Sequence, residues 1–131
     1  MQEIIIGTEM TKSTIVDITN IAKSVGSGDL EVFSTPMMIA LMEKASASCL
    51  GQFLDSGETS VGTFISISHI AASPLKMKIN ATAKIINING KEVEFSVEAF
   101  DEKGKIGEGT HKRFIVNSEK FQSKVNSKLE V

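Results

Sequence analysis

From Pro36 to Met42 the chain runs through seven residues without a charge, inside a longer segment dominated by Met, Leu, Ala, Glu and Lys. Those residue types are good helix formers, so the segment from Pro36 to about Leu54 is predicted to be one long helix. Its start is marked by Ser34-Thr35-Pro36. A proline fits the first helical position because its missing N–H had no partner there. Either Ser34 or Thr35 can supply the cap. The stop lies at Gly51 or shortly before Gly57. The first two turns are apolar on every side, which is the pattern of an enclosed helix rather than one lying on a surface. Whatever else this chain does, it must supply something that wraps a helix.

The remainder has the period to do so. Past Glu58 the apolar residues recur every second position. Val61, Thr63, Ile65, Ile67 and His69 share one parity of a first strand. Met77, Ile79, Ala81, Ala83 and Ile85 alternate with polar residues in a second, and Val93, Phe95, Val97 and Ala99 in a third. Asn89-Gly90 signals a tight hairpin, since both residue types tolerate positive φ. Asp101-Glu102-Lys103-Gly104 makes the next turn, and a last strand runs from about Lys105 to Val116. The tail from Ser118 reads as a short amphipathic helix or a frayed end. Residues 1–30 are the least legible, with Ile15-Val16-Asp17-Ile18 as strand material and Gly26-Ser27-Gly28-Asp29 as a loop. The expected fold class is α+β: an antiparallel sheet of about five strands curled round one long central helix. A length of 131 residues fits this as a single domain over 1–131.

Composition narrows the function. The formal net charge is -2 and there is no broad basic field, so nucleic acid is a poor partner. No apolar run approaches the ~20 residues of a membrane helix. Cys49 is the single cysteine, which fits a reducing compartment and rules out a thiolate cluster. Neither His69 nor His111 stands in a metal-binding spacing, so no metal is expected. Met1-Gln2-Glu3 carries an acid where a secretory leader needs basic charge. The expectation is a cytoplasmic protein.

Few residues are left to carry chemistry. Glu43 follows the uncharged run directly. It is either a desolvated carboxylate with a raised pKa or the point where the helix emerges into water. His69 ends the apolar face of its strand, where an imidazole can act as acid or base, or simply close the core edge. Taken alone, Thr35 reads first as a cap. His111 lies in a polar strand and reads equally as surface. Gly62 interrupts a good strand, as a glycine does at a bulge or where a ligand approaches the backbone. Gly107-Glu108-Gly109 is not a dinucleotide fingerprint, because it lacks a third glycine and sits inside a strand. Arg113 is the only arginine; with Lys112, Lys76 and Lys78 it offers phosphate recognition or a solvated face.

Together these pieces resemble the hotdog-fold thioesterases similar to fluoroacetyl-CoA thioesterase. The likeness is carried by Ser34-Thr35-Pro36-Met37-Met38-Ile39-Ala40-Leu41-Met42-Glu43, by Ser60-Val61-Gly62-Thr63 with Ser68-His69-Ile70-Ala71-Ala72, and by Ile106-Gly107-Glu108-Gly109-Thr110-His111 with Arg113-Phe114. It spans about Val32 to Phe121 in register. The resemblance implies a catalytic set of Thr35, Glu43 and His69. In that set Glu43 attacks a thioester carbonyl or activates water, His69 carries the proton and Thr35 positions the carboxylate. It also implies an acyl-CoA substrate, with CoA part of that substrate and no separate cofactor. A dimer with sites at the subunit interface is the usual assembly, and a tetramer is not distinguished from it. Phe33, Gly62, Phe64 and Arg113 are the expected substrate-binding residues, with the Gly62 N–H as an oxyanion donor. A thioester needs only a nucleophile or base, a proton carrier and such a donor. Two rival functions share the fold: a hydratase or dehydratase of acyl thioesters, and a non-catalytic acyl-CoA-binding dimer. One geometric constraint is already visible. Eight residues on one continuous helix hold Thr35 and Glu43 about 12 Å apart. Either Thr35 sits on a loop that folds back, or it serves a site shared with a second chain.

Overall fold

The structure, a computed structural model, describes residues 2–130. After strand β1 (Glu9–Ile15) and a single helical turn α1 (Ala22–Val25) comes the long helix α2 (Thr35–Gly51). Four strands follow, β2 (Glu58–His69), β3 (Lys78–Asn89), β4 (Glu92–Asp101) and β5 (Gly104–Asn117), then helix α3 (Ser118–Asn126). The strands form one sheet, all antiparallel, in the order β1-β3-β4-β5-β2. This is the hotdog arrangement, with α2 as the filling.

The α2 side chains Met38, Leu41, Met42, Ala45, Cys49 and Leu50 are buried, as are the alternate residues Ile79, Ala81, Ala83 and Ile85 of β3 and Val93, Phe95, Val97 and Ala99 of β4. Those two parities and the helix make one core. Helix α2 reaches the sheet closely because Gly107 of β5 has no side chain: a Cβ there would stand 2.6 Å from the Met38 sulfur. The helix is not enclosed all round, however. Pro36, Ala40 and Lys44, spaced four apart, form an exposed stripe.

Three local expectations need correction. The N-terminal strand is Glu9–Ile15, paired with β3 from Glu9↔Lys84 to Ile15↔Lys78, and not Ile15–Ile18. The hairpin loop is Gly90-Lys91, one residue later than expected, because Asn89 still pairs with Glu92. Strand β2 changes parity. Gly62 pairs with Arg113 and Phe64 with Lys112, so Thr63 is the extra residue of a β-bulge. Ser60 and Gly62 before the bulge therefore share a face with Ile65, Ile67 and His69 after it, while Val61 lies on the other face.

Candidate active site

Helix α2 and strand β2 together present two separate groups of reactive side chains. The first stands at the helix start. Ser34 caps α2, its hydroxyl accepting from the Met37 N–H at 3.3 Å. That leaves Thr35, the first helical residue, free for another partner, and its Oγ1 lies 2.7 Å from His69 Nδ1 at the end of β2. His69 Nε2 is buried and has no hydrogen-bond partner among the described residues. A buried polar atom without a partner calls for an explanation, and a substrate atom is the obvious one. If the Thr35 hydroxyl donates to Nδ1, Nε2 carries the proton and faces the site as an acid. The reverse bond leaves Nε2 as a base. Burial pushes the His69 pKa down, and the Ala71 backbone draws it partly back.

The second group stands two turns further along α2. The Glu43 carboxylate leans onto β2 where Gly62 lacks a side chain: a Cβ there would lie 3.0 Å from Glu43 Oε2, 3.2 Å from His111 Cε1 and 3.6 Å from Arg113 Nη1. Gly62 thus keeps open the space on which the three side chains converge. A recess of about 230 Å³ opens there, lined by Glu43, Gly62, Thr63, Phe64, Ile65 and His111. Behind it, Arg113 is tied down by its Nε to Ser60 Oγ at 2.8 Å and its Nη2 to the Ser60 carbonyl at 2.9 Å. Burial lowers the guanidinium pKa while Glu43 raises it.

His111, which the sequence leaves open as a surface residue, is buried. The signal that identifies it is parity. His111 and Arg113 stand on the β5 face that holds buried Ile115, two residues on. Burial is also the first cause of its lowered pKa; the Phe64 carbonyl and Glu43 oppose the shift and Arg113 adds to it.

The remaining expected residues are dispersed. Phe33 is buried and lines a different cavity, of about 190 Å³, with Ser13, Asn20, Met37 and Lys44. The Phe64 ring lies on the face opposite His111, under the Lys112 ammonium at 5.5 Å from its centroid. Among the described residues no cluster of His, Cys, Asp or Glu could hold a metal ion.

Thr35 therefore meets His69 within the chain, but Glu43 does not. Thr35 is helical, which removes the fold-back alternative and leaves it about 12 Å from Glu43 along the axis. Gly62 and His69 are seven residues apart on β2, roughly 20 Å at strand rise.

Both imidazoles are held neutral by burial, and this sets a pH dependence of stability. The unfolded chain takes up their protons near the ordinary imidazole value of about 6.5, the folded chain only below it. The stabilisation is complete above that value and is lost as pH falls through the window down to the lowered folded values. Urea unfolding midpoints should be level above pH ~6.5 and decline below it; midpoints that rise from pH 7 to 5 contradict this.

An antiparallel sheet curled on one helix, with a carboxylate and an imidazole on its helix-side face, defines a hotdog-fold enzyme. The model of the fluoroacetyl-CoA-specific thioesterase family matches residues 16–119. The fluoroacetyl-CoA thioesterase of Streptantibioticus cattleyicolor is 39% identical over 98 residues, 75% of this chain and 70% of that protein. A solved structure of a fluoroacetyl-CoA thioesterase superposes with a TM-score of 0.91 at 31% identity, covering 97% of this chain and 98% of the other. A thioesterase-superfamily member from Thermus thermophilus also reaches 0.91, at 26% identity over 99% and 96%. The chain belongs to the fluoroacetyl-CoA-specific thioesterase family and is a thioester hydrolase.

Proposed function

We propose that the chain hydrolyses a small or medium acyl-CoA to the free acid and CoA, in the cytoplasm, at sites assembled between two copies of itself. The observation that carries this is the pair of half-sites on one face of β2: Thr35–His69 with an open Nε2, and Glu43 against Gly62. Each lacks what the other holds.

Strand β2 can join them. It is an edge of the sheet, 12 residues long, with Phe64 and Ile65 exposed along it. A long apolar edge invites pairing with another strand. In an antiparallel pair, opposed residues share a face. A two-fold axis at Ser66 sets Ile67 across from the partner's Ile65, Ser68 across from the partner's Phe64 and, with Thr63 bulged out, His69 across from the partner's Gly62. That register delivers His69 to the Glu43 of the second copy with every parity preserved.

In the composite site Glu43 attacks the thioester carbonyl carbon, or takes a proton from the water that does. The developing oxyanion is met by the Gly62 N–H. His69, its Nδ1–H donating to Thr35 Oγ1, takes up at Nε2 the proton that the hydrolytic water loses, directly or by way of Glu43, and gives it to the CoA sulfur that leaves as the C–S bond breaks. If Glu43 itself attacked, water then cleaves the acyl–Glu43 anhydride. Arg113 supports the carboxylate's charge from behind.

The experiment is a panel of acyl-CoAs of increasing chain length offered with a free-thiol reagent. Thiol release from short or medium chains supports the reading. A change in enoyl absorbance without thiol release would replace it with the hydratase, which is the weaker reading because no histidine precedes residue 69. Tight binding with neither signal would replace it with an acyl-CoA sensor.

A further inference from the structure

His111 and Arg113 have a geometry more specific than general support. Arg113 has only donors, so its Nη1 at 3.2 Å from His111 Nε2 requires a lone pair on that nitrogen. The proton must then sit on Nδ1, which donates to the Phe64 carbonyl at 2.8 Å. Unlike His69, this ring has one tautomer. Its freedom is closed off further by stacking on Phe95, with centroids 6.0 Å apart and planes at 29°.

The two partners on β2 straddle the bulge. Arg113 holds Ser60, on the near side of Gly62 and Thr63. His111 holds Phe64, on the far side. We infer that His111 and Arg113 form a staple across the β2 bulge that sets the Gly62 backbone against Glu43, with His111 as a positioning residue dependent on its neutral, Nδ1-protonated form. This deepens the proposed hydrolysis and rests on it. A bulge is the soft point of an edge strand, since its extra residue is unpaired. Without ties on both sides, the Gly62 N–H would drift relative to the carboxylate. The titratable groups facing the ring are Glu43 from α2 and Arg113 from its own strand. Strand β4 presents Phe95 there, and β2 presents Ser60, Gly62 and the Phe64 carbonyl. Protonating Nε2 sets a donor against the Arg113 donor and opens the staple.

Two variants separate its arms. His111→Asn keeps a donor near Phe64 and removes the acceptor for Arg113. His111→Gln brings an acceptor toward Arg113 and removes the donor to Phe64. Each should lower kcat by about tenfold or more with KM nearly unchanged, in a protein that still folds cooperatively at a somewhat lower melting temperature, since a buried hydrogen-bonded ring is lost and misplacing a reacting group by about 1 Å can cost a hundredfold. Unchanged kcat in a folded variant, or a loss that simply follows loss of fold, overturns the staple. Nitrogen NMR of the wild-type imidazoles provides a check that needs no variant. It should find His111 neutral with the proton on Nδ1, and a proton on Nε2 overturns the inference. That measurement judges the staple even if no acyl-CoA is turned over, an outcome that would instead sink the hydrolase reading.

Discussion

Glu43→Gln is expected to abolish thiol release while leaving the fold intact. The substitution is nearly isosteric and removes the only carboxylate that lines the recess at Gly62 among the described residues. As a general base Glu43 supplies about 10²- to 10⁴-fold of the rate; as the nucleophile its loss removes the whole covalent route. KM should change little, because the amide occupies the same volume beside the Gly62 backbone. The melting temperature should hold or fall modestly, since the change takes a charge off a half-buried position but also takes the neighbouring anion from the buried Arg113 guanidinium. Steady-state thiol release with circular dichroism checks both. A variant retaining more than about a tenth of wild-type kcat has kept its base, and the reacting carboxylate must then be sought elsewhere.

What could be read in the sequence divides along physical lines. Helix α2 was legible because its apolar run and Ser34-Thr35-Pro36 start are local signals. Strands β3 and β4 were legible because each carries an unbroken alternation with one dry face. Strand β1 was misplaced because Glu-Met-Thr-Lys-Ser-Thr-Ile has no apolar face to show. As an edge strand, none of its residues is fully buried, and its conformation comes from pairing with β3, some seventy residues away. The apolar content of Ile15-Val16-Asp17-Ile18 suggests a strand, yet only Val16 is buried there.

The site shows the same division. The eight-residue spacing of Thr35 and Glu43 on a helix already implied separate locations. That Ser34 takes the cap and frees Thr35 for His69 depends on which hydroxyl reaches the Met37 N–H, a choice that the pair Ser-Thr leaves open. The bulge at Thr63 was announced only as a glycine in a strand. Its consequence, a reversal of parity that brings Gly62 rather than Val61 to the helix side, follows from pairing with β5. The sequence leaves His111 open because its immediate neighbours Thr110 and Lys112 are polar. Alternation with Arg113 and Ile115 places it inside.

The division of the reacting groups between two copies is the central claim, and subunit mixing tests it most directly. Glu43→Gln and His69→Gln chains, each inactive alone, are unfolded together and refolded as a mixture. If one copy supplies Glu43 and the other Thr35 and His69, a heterodimer carries one site with both residues intact and one with neither. Random pairing makes half of the dimers heterodimers, so the mixture should recover about a quarter of wild-type turnover. If each site draws both residues from one chain, every site carries a lesion. A mixture that stays as inactive as its components, with heterodimers shown to have formed, would contradict the account.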